Sequence, residues 1–423
     1  AENVGLASRR RWVIRMIRGS RAANIPLALI VWGAIGIALN VGLARFTYGV
    51  MLPSIRRDLG ISYLGSGSLN AVHLAGYLIG TLAAPSLMSR MGSSRLSKWA
   101  HLLVATGAVL CAVAPGTIWA GSIVLGTGRV FTGLGAGAGI VAILVVVFSA
   151  VSAARRPLAS AVVWSGMGVS VVLSGLAISF LLETADGWRI AFALSALLAL
   201  AVAFSFAPAH GQPAKQAVDP SSQGVDFVTR QLSTKHWMYL ILGYLMFGIA
   251  YVAYSTFAGT QMAAMKTPIL VVGLTWVGFG CAAILGAALT VPIVASSRLK
   301  QFALAASLGS GAVGAWVAGM GTSESAIIGA LLVGLGIAAT PTIVSACTRD
   351  RCSVAEYPKM FSLATAALGI GQLIGPVAGG ALADRFGTGV VPFFAAACYG
   401  VAALLALADS LSSRAFPTRR RAA

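Results

Sequence analysis

The stretch "GLARFTYG" at residues 42–49 returns, altered, as "GIAYVAYS" at residues 248–255. Gly42 pairs with Gly248, Ala44 with Ala250 and Tyr48 with Tyr254, while Arg45 stands where the second copy has Tyr251. A second pair, "GRVFTGLGAGAG" at 128–139 and "GALLVGLGIAAT" at 329–340, aligns Gly128 with Gly329, Gly133 with Gly334 and Gly135 with Gly336. The offsets are 206 and 201 residues, so the alignment carries from the first pair to the second with a shift of five. Either match alone carries little weight. Two at nearly one offset identify a tandem duplication, and its midpoint falls in "PAHGQPAKQAVDPSSQGVDFVTRQLSTKH", a Pro-, Gly- and Ser-rich linker over 208–236.

Composition says what the duplicated unit is made of. Of 423 residues 58% are hydrophobic and only 10% charged, with a mean hydropathy of +0.87. A soluble domain carries about 25% charged residues, so lipid rather than water must solvate most of this surface. Twelve apolar spans can be counted, six on each side of the linker, each near the ~20 residues a helix needs to cross hydrocarbon. The 50 glycines suit helices that approach through small residues. The five cysteines, Cys111, Cys281, Cys347, Cys352 and Cys398, lack metal-ligand spacing and read as free thiols. No metal and no cofactor is expected.

The net charge of +19 is distributed unevenly. With alternating loops, 23 Lys and Arg fall on the face that carries both termini and the linker, and five (Arg56, Arg57, Arg189, Lys266, Arg385) on the other. By the positive-inside rule both termini are cytoplasmic. The basic balance therefore reports topology and contact with anionic lipid, not nucleic acid. The start, "RRRWVIRMIRGSR", reads as a topology-setting tail that could also lie on the inner leaflet as a basic amphipathic helix. The expected organisation is a basic segment over 1–24, a six-helix bundle over 25–207, the linker over 208–236, a second bundle over 237–410 and a basic tail over 411–423.

These residues resemble a known family. "GRVFTGLGAGAG" is similar to the fourth-helix signature of the major facilitator superfamily, "DGWRIAF" at 186–192 to its fifth-to-sixth-helix junction, and "GIGQLIGPVAGGALADRFG" at 369–387 to its eleventh-helix region. The first two spans, "GLARFTYGVMLPSIRRDLGISYLGSGSLNAVHLAGYLIG", further resemble the bacterial YbfB-like branch. The resemblance implies an all-α membrane protein with twelve transmembrane helices in two pseudo-symmetric six-helix bundles, placed in a bacterial inner membrane. It also implies a substrate site near the midplane and alternating access by rocking of the halves. In the loop after span two the superfamily carries an acid that steadies the outward-open state, and here Ser89 stands in its place. Arg90, Gly92 and Arg95 of that loop remain, and with Gly133, Gly375 and Pro376 they are the candidate gating and structural positions.

Charge inside the membrane points to the substrate. All eleven Asp and Glu lie in loops or at helix ends, whereas Arg45 and Arg129 lie within spans. An arginine in hydrocarbon costs about 2.5–3.5 kcal/mol on insertion scales. Two guanidiniums without acidic partners suit a carboxylate, sulfonate or phosphate, which Arg grips bidentately. The alternatives are snorkelling of Arg45 to headgroups and a structural role for Arg129 on helix carbonyls. On span seven Tyr244, Phe247, Tyr251 and Tyr254 share one helical face. Tyr48, Tyr251 and Tyr254 join the arginines as candidate substrate contacts, with core packing or an interfacial aromatic belt as the alternatives. His73 is the candidate to carry a coupling proton, against the commoner role of a hydrogen-bonded core histidine.

No Ser/His/Asp grouping, metal cluster or His-Glu-x-x-His pattern is present, so no enzyme is expected. The expected function is secondary transport of a small organic anion, aromatic or amphipathic, with a co-transported or exchanged ion and a monomeric carrier. The alternatives are efflux of apolar or cationic compounds, which the missing intramembrane acids oppose, and a transporter-like sensor.

Overall fold

In hydrocarbon each backbone polar group must find its partner within the chain, and an apolar span does so as a helix. A computed structural model describes residues 27–152, 156–181, 184, 186–205, 235–294, 300–352 and 356–415. The basic segment 1–24, most of the linker 208–236 and the end of the tail lie outside the described residues. The first half holds α1 (Leu27–Leu59), α2 (Tyr63–Met91), α3 (Ser93–Ala112), α4 (Ile118–Ala150), α5 (Arg156–Leu181) and α6 (Gly187–Phe204). The second holds α7 (Lys235–Ala264), α8 (Ile269–Val294), α9 (Lys300–Ala318), α10 (Ser323–Arg351), α11 (Tyr357–Phe386) and α12 (Val390–Ala415). Among the described residues nine are long and apolar enough to cross a membrane. In α5 and α9 the described apolar stretches are shorter, Val162–Ala177 and Phe302–Ala318.

Packing repeats between the halves. In the first, α4 packs on α2 and α3, α3 on α6, and α1 on α5; in the second, α10 packs on α8 and α9, α9 on α12, and α7 on α11. The halves meet through α1 on α7, α2 on α11 and α5 on α8. Exchanging the halves turns the first contact into itself and the second into the third, as a pseudo-two-fold axis requires. Outward large side chains such as Leu82, Trp119, Leu197, Leu274 and Leu404 are exposed, the surface lipid would solvate.

Close approach depends on absent side chains. A Cβ on Gly133 of α4 would lie 2.0 Å from the His73 carbonyl oxygen of α2, and one on Gly67 of α2 would lie 2.0 Å from the Pro376 carbonyl oxygen of α11. Gly375 makes the same kind of approach inside the second half, 2.4 Å from the Ile249 carbonyl oxygen. Gly92 adopts φ +82° at the C-cap of α2, a conformation L side chains rarely take, and Arg90 and Arg95 flank it, both exposed.

The halves touch most closely toward the end bearing the α1–α2 and α11–α12 loops, here termed the distal end. Gly49 packs on Ser255 and Thr256, Gly67 on Pro376, Gly380 on Tyr63 and Gly175 on Gly273. Charge pairs brace each half separately. Asp58, at the end of α1, accepts from Trp188 Nε1 at 2.8 Å and from Arg189 Nη1 at 2.6 Å, which ties down the start of α6. In the second half Lys300 bonds Asp350 at 2.5 Å, and Arg351 pairs with Asp409.

Helix α1 is not a continuous α-helix. It passes through a π-helical turn, Ala38–Leu43, that ends two residues before Arg45. There Gly42 presses on α5, where a Cβ would meet Ser170 Oγ at 1.4 Å. Such single π turns are frequent at functional sites because they re-aim the side chains that follow.

Candidate functional site

Arg45 leaves the π turn pointing across the interface between the halves. Its Nη2 donates to the Tyr251 hydroxyl at 2.5 Å, and its guanidinium carbon lies 5.0 Å from the centre of the Tyr251 ring. These residues occupy the same register position in the two repeats, so the contact sits near the pseudo-two-fold axis. Gln372 Nε2 of α11 donates to the same hydroxyl at 2.6 Å. With both lone pairs of that oxygen engaged, its own O–H remains to donate elsewhere. Guanidinium, amide and phenol thus form a group of donors with no carboxylate among them. Arg45 stays partly exposed while Tyr251 and Gln372 are buried.

Arg129 is placed differently. It is 0% exposed, and both of its Nη atoms are held by protein acceptors. Nη1 donates to the Ala44 carbonyl at 2.6 Å and Nη2 to Asn70 Oδ1 at 2.7 Å, while Nε has no hydrogen-bond partner. The Tyr48 ring lies 4.6 Å beneath its guanidinium carbon, and the Tyr48 hydroxyl is spent on the Ser66 carbonyl at 2.8 Å. Because Asn70 Oδ1 is held by Arg129, its Nδ2 is directed across the interface to Thr256 Oγ1, at 2.7 Å. Thr256 donates in turn to the Val252 carbonyl at 2.6 Å. The chain from Arg129 through Asn70 to Thr256 is directional, and each donor has one acceptor.

The structure therefore brings Arg45 and Tyr251 into direct contact and stacks Tyr48 against Arg129. It sets Tyr254 apart, lining a small space inside the second half with Gln261, Thr275 and Trp276. His73 donates from Nδ1 to Thr132 Oγ1 at 3.0 Å, since Thr132 uses its own proton on the Arg129 carbonyl. Tyr244 and Phe247, on the same face of α7 as Tyr251, are buried, and Phe247 packs edge-on against Tyr399 at 6.0 Å. Sequence reading did not find Asn70, Thr256 or Asp384. Asp384 Oδ1 and Oδ2 accept from the backbone N–H groups of Tyr63 and Leu64 at 2.8 and 2.9 Å. Asn70 and Asp384 lie within the stretches 42–80 and 369–387 that carry the family resemblance, yet nothing there marks them as contacts between the halves; uncharged polar residues within apolar spans are a signal for Asn70 and Thr256. Among the described residues no cluster of His, Cys, Asp and Glu could hold a metal ion.

Residues 37–408 match the family described as uncharacterised MFS-type transporter YbfB. The uncharacterised MFS-type transporter YbcL of Bacillus subtilis (strain 168) is 27% identical over 164 residues, which span 39% of this chain and 40% of that relative. Among solved structures, a point mutant of the nucleoside transporter NupG superposes with TM-score 0.74 at 12% identity, over 90% of this chain and 99% of that one. A D-xylose–proton symporter gives TM-score 0.71 at 16% identity, over 90% and 97%. A bacterial homologue of the human lysosomal transporter Spinster, inward-facing and occupied, gives 0.69 at 15% identity, over 93% and 98%. At these identities the structural likeness speaks to the fold.

Proposed function

The chain belongs to the YbfB family of MFS-type transporters, and on that premise we propose that its substrate is a small organic anion seated against Arg45. It is a membrane transporter, not an enzyme. The observation that carries the anion reading is the donor group formed by Arg45, Tyr251 and Gln372 across the two halves, which contains no acidic side chain. A guanidinium whose nearest partner is a neutral phenol keeps an unmet demand for negative charge, and a carboxylate, sulfonate or phosphate meets it with two parallel bonds. A lipophilic cation finds no counter-charge there.

In this reading the anion displaces Tyr251 from Arg45 and takes the spare phenolic proton as a third hydrogen bond. Arg129 serves as scaffold, holding the Ala44 carbonyl one residue before Arg45 and aiming Asn70. Exchange of one anion for another needs no titrating carboxylate and suits the site. The distal end faces outward, with both termini and the linker in the cytoplasm, as the distribution of Lys and Arg supports.

The test is a thermal-shift screen of purified protein in detergent with mono- and dicarboxylates, aromatic acids, sulfonates, organophosphates, neutral sugars and lipophilic cations. A ligand at 100 times its Kd stabilises by about 2.7 kcal/mol. Stabilisation by one anion class in the parent, lost in Arg45→Gln, is expected. Stabilisation by cations or sugars, equal in both proteins, would overturn the anion reading.

A further inference from the structure

We infer that Asp384 is a positioning residue for alternating access, whose carboxylate holds the distal end shut by capping α2 from the opposite half. The first N–H groups of a helix have no acceptor within it. At the start of α2 each one is accounted for. Tyr63 N and Leu64 N donate to Asp384 Oδ1 and Oδ2 at 2.8 and 2.9 Å, Gly65 N donates to Ser62 Oγ at 3.0 Å, and Ser66 N donates to the Ser62 carbonyl at 3.0 Å. Two of the four are thus satisfied by a residue about 320 positions away, in the other half of the molecule. The bonds are charge-assisted and lie at the positive end of the α2 dipole.

The surroundings are built for this contact. A Cβ on Gly380, one turn before Asp384, would lie 2.4 Å from the Tyr63 carbonyl oxygen, so α11 reaches the cap only because position 380 is glycine. The Tyr63 ring carries the Arg56 guanidinium 3.3 Å from its centre and packs edge-on to Phe257 of α7 at 6.3 Å. Two turns deeper along α2, Asn70 reaches Thr256. Opening the distal end must draw α2 away from α11 and α7 and break both attachments. The cap carries a full charge yet lies exposed, so water can take over its bonds once the halves part. That makes it a reversible latch whose strength biases the balance between states. The latch acts whichever substrate is carried.

The test uses the intact protein with Ser255→Cys, a buried α7 position packed on Gly49 at the distal interface. Labelling by a maleimide, located by mass spectrometry, reports how often the distal end opens. Asp384→Ala should speed labelling at position 255 at least fivefold, Asp384→Glu should return it to within twofold of the parent, and Asp384→Asn should fall between. Gly380→Ala forces the two helices apart with the carboxylate intact and should also speed labelling, a second route if Asp384→Ala does not fold. Because Ser255 is on another helix, mere fraying of α2 would not change its rate. Equal rates at position 255 in the parent and in the folded Asp384 and Gly380 variants would overturn the latch.

Discussion

Arg45 is held by two weak forms of compensation, a phenolic oxygen and the face of an aromatic ring. A ligand anion supplies what both lack. Arg45→Gln should therefore keep its melting temperature without ligand and lose the anion-induced rise, while Arg45→Lys should regain only part of it, since an ammonium cannot form the paired bonds of a guanidinium. Tyr251→Phe keeps the ring and removes the hydroxyl. An affinity loss of about tenfold is expected from one hydrogen bond to a charged group, measured by titration calorimetry with the anion found in the screen. Arg129 presents a different case, because it is fully buried with both Nη atoms held by protein acceptors, its Nε alone lacking a partner. Arg129→Ala leaves the Ala44 carbonyl and Asn70 Oδ1 without their donor, at about 1–3 kcal/mol for each buried group. Arg129→Lys should not rescue the melting temperature, since one ammonium cannot hold both acceptors in the same fork.

At the scale of helices, glycine positions decide how near two backbones come. Gly133→Ala places a methyl 2.0 Å from a backbone carbonyl of α2 and should lower the melting temperature, by about 1–3 kcal/mol in stability. Gly309→Ala and Gly400→Ala meet nothing within 4 Å and should be neutral or stabilising by up to about 1 kcal/mol. A melting series in one detergent distinguishes the two groups. Much at this scale was legible in the sequence, because hydropathy reports each span directly and the Gly133/Gly334 register survives duplication. The π turn before Arg45 was not legible, since neither it nor the close approach of Gly42 to Ser170 of α5 leaves a composition signal. The aromatic face of α7 was read with the right period. Yet period cannot say which neighbour a face meets, and at Tyr244 and Phe247 the neighbour is a packed core that includes Tyr399.

For the whole molecule the distribution of bonds matters more than their number. The charge pairs at Asp58, Lys300 and Asp409 lie inside one half or the other, so each half is fastened within itself. Among the described residues the side-chain bonds that cross, Arg45 to Tyr251, Asn70 to Thr256 and Asp384 to the α2 amides, are ones that water or a ligand can replace. Two stiff bodies joined by exchangeable contacts suit rocking about a central site. The repeat in the sequence put Arg45 and Tyr251 at one register position. It could not show that they touch, nor that Asn70 and Asp384 reach across, because those contacts exist only once the halves are docked.

The most direct measurement of the anion site is made across a membrane. Proteoliposomes bearing the parent or Arg45→Gln, and empty liposomes, are incubated with one mixture of carboxylates, sulfonates, phosphates, sugars and lipophilic cations, and their washed contents are identified by mass spectrometry. Accumulation of one anion class in the parent alone, at least tenfold above both controls, is the expected result. Accumulation of cations or neutral compounds to the same level in parent and Arg45→Gln would contradict it and make Arg45 a structural residue.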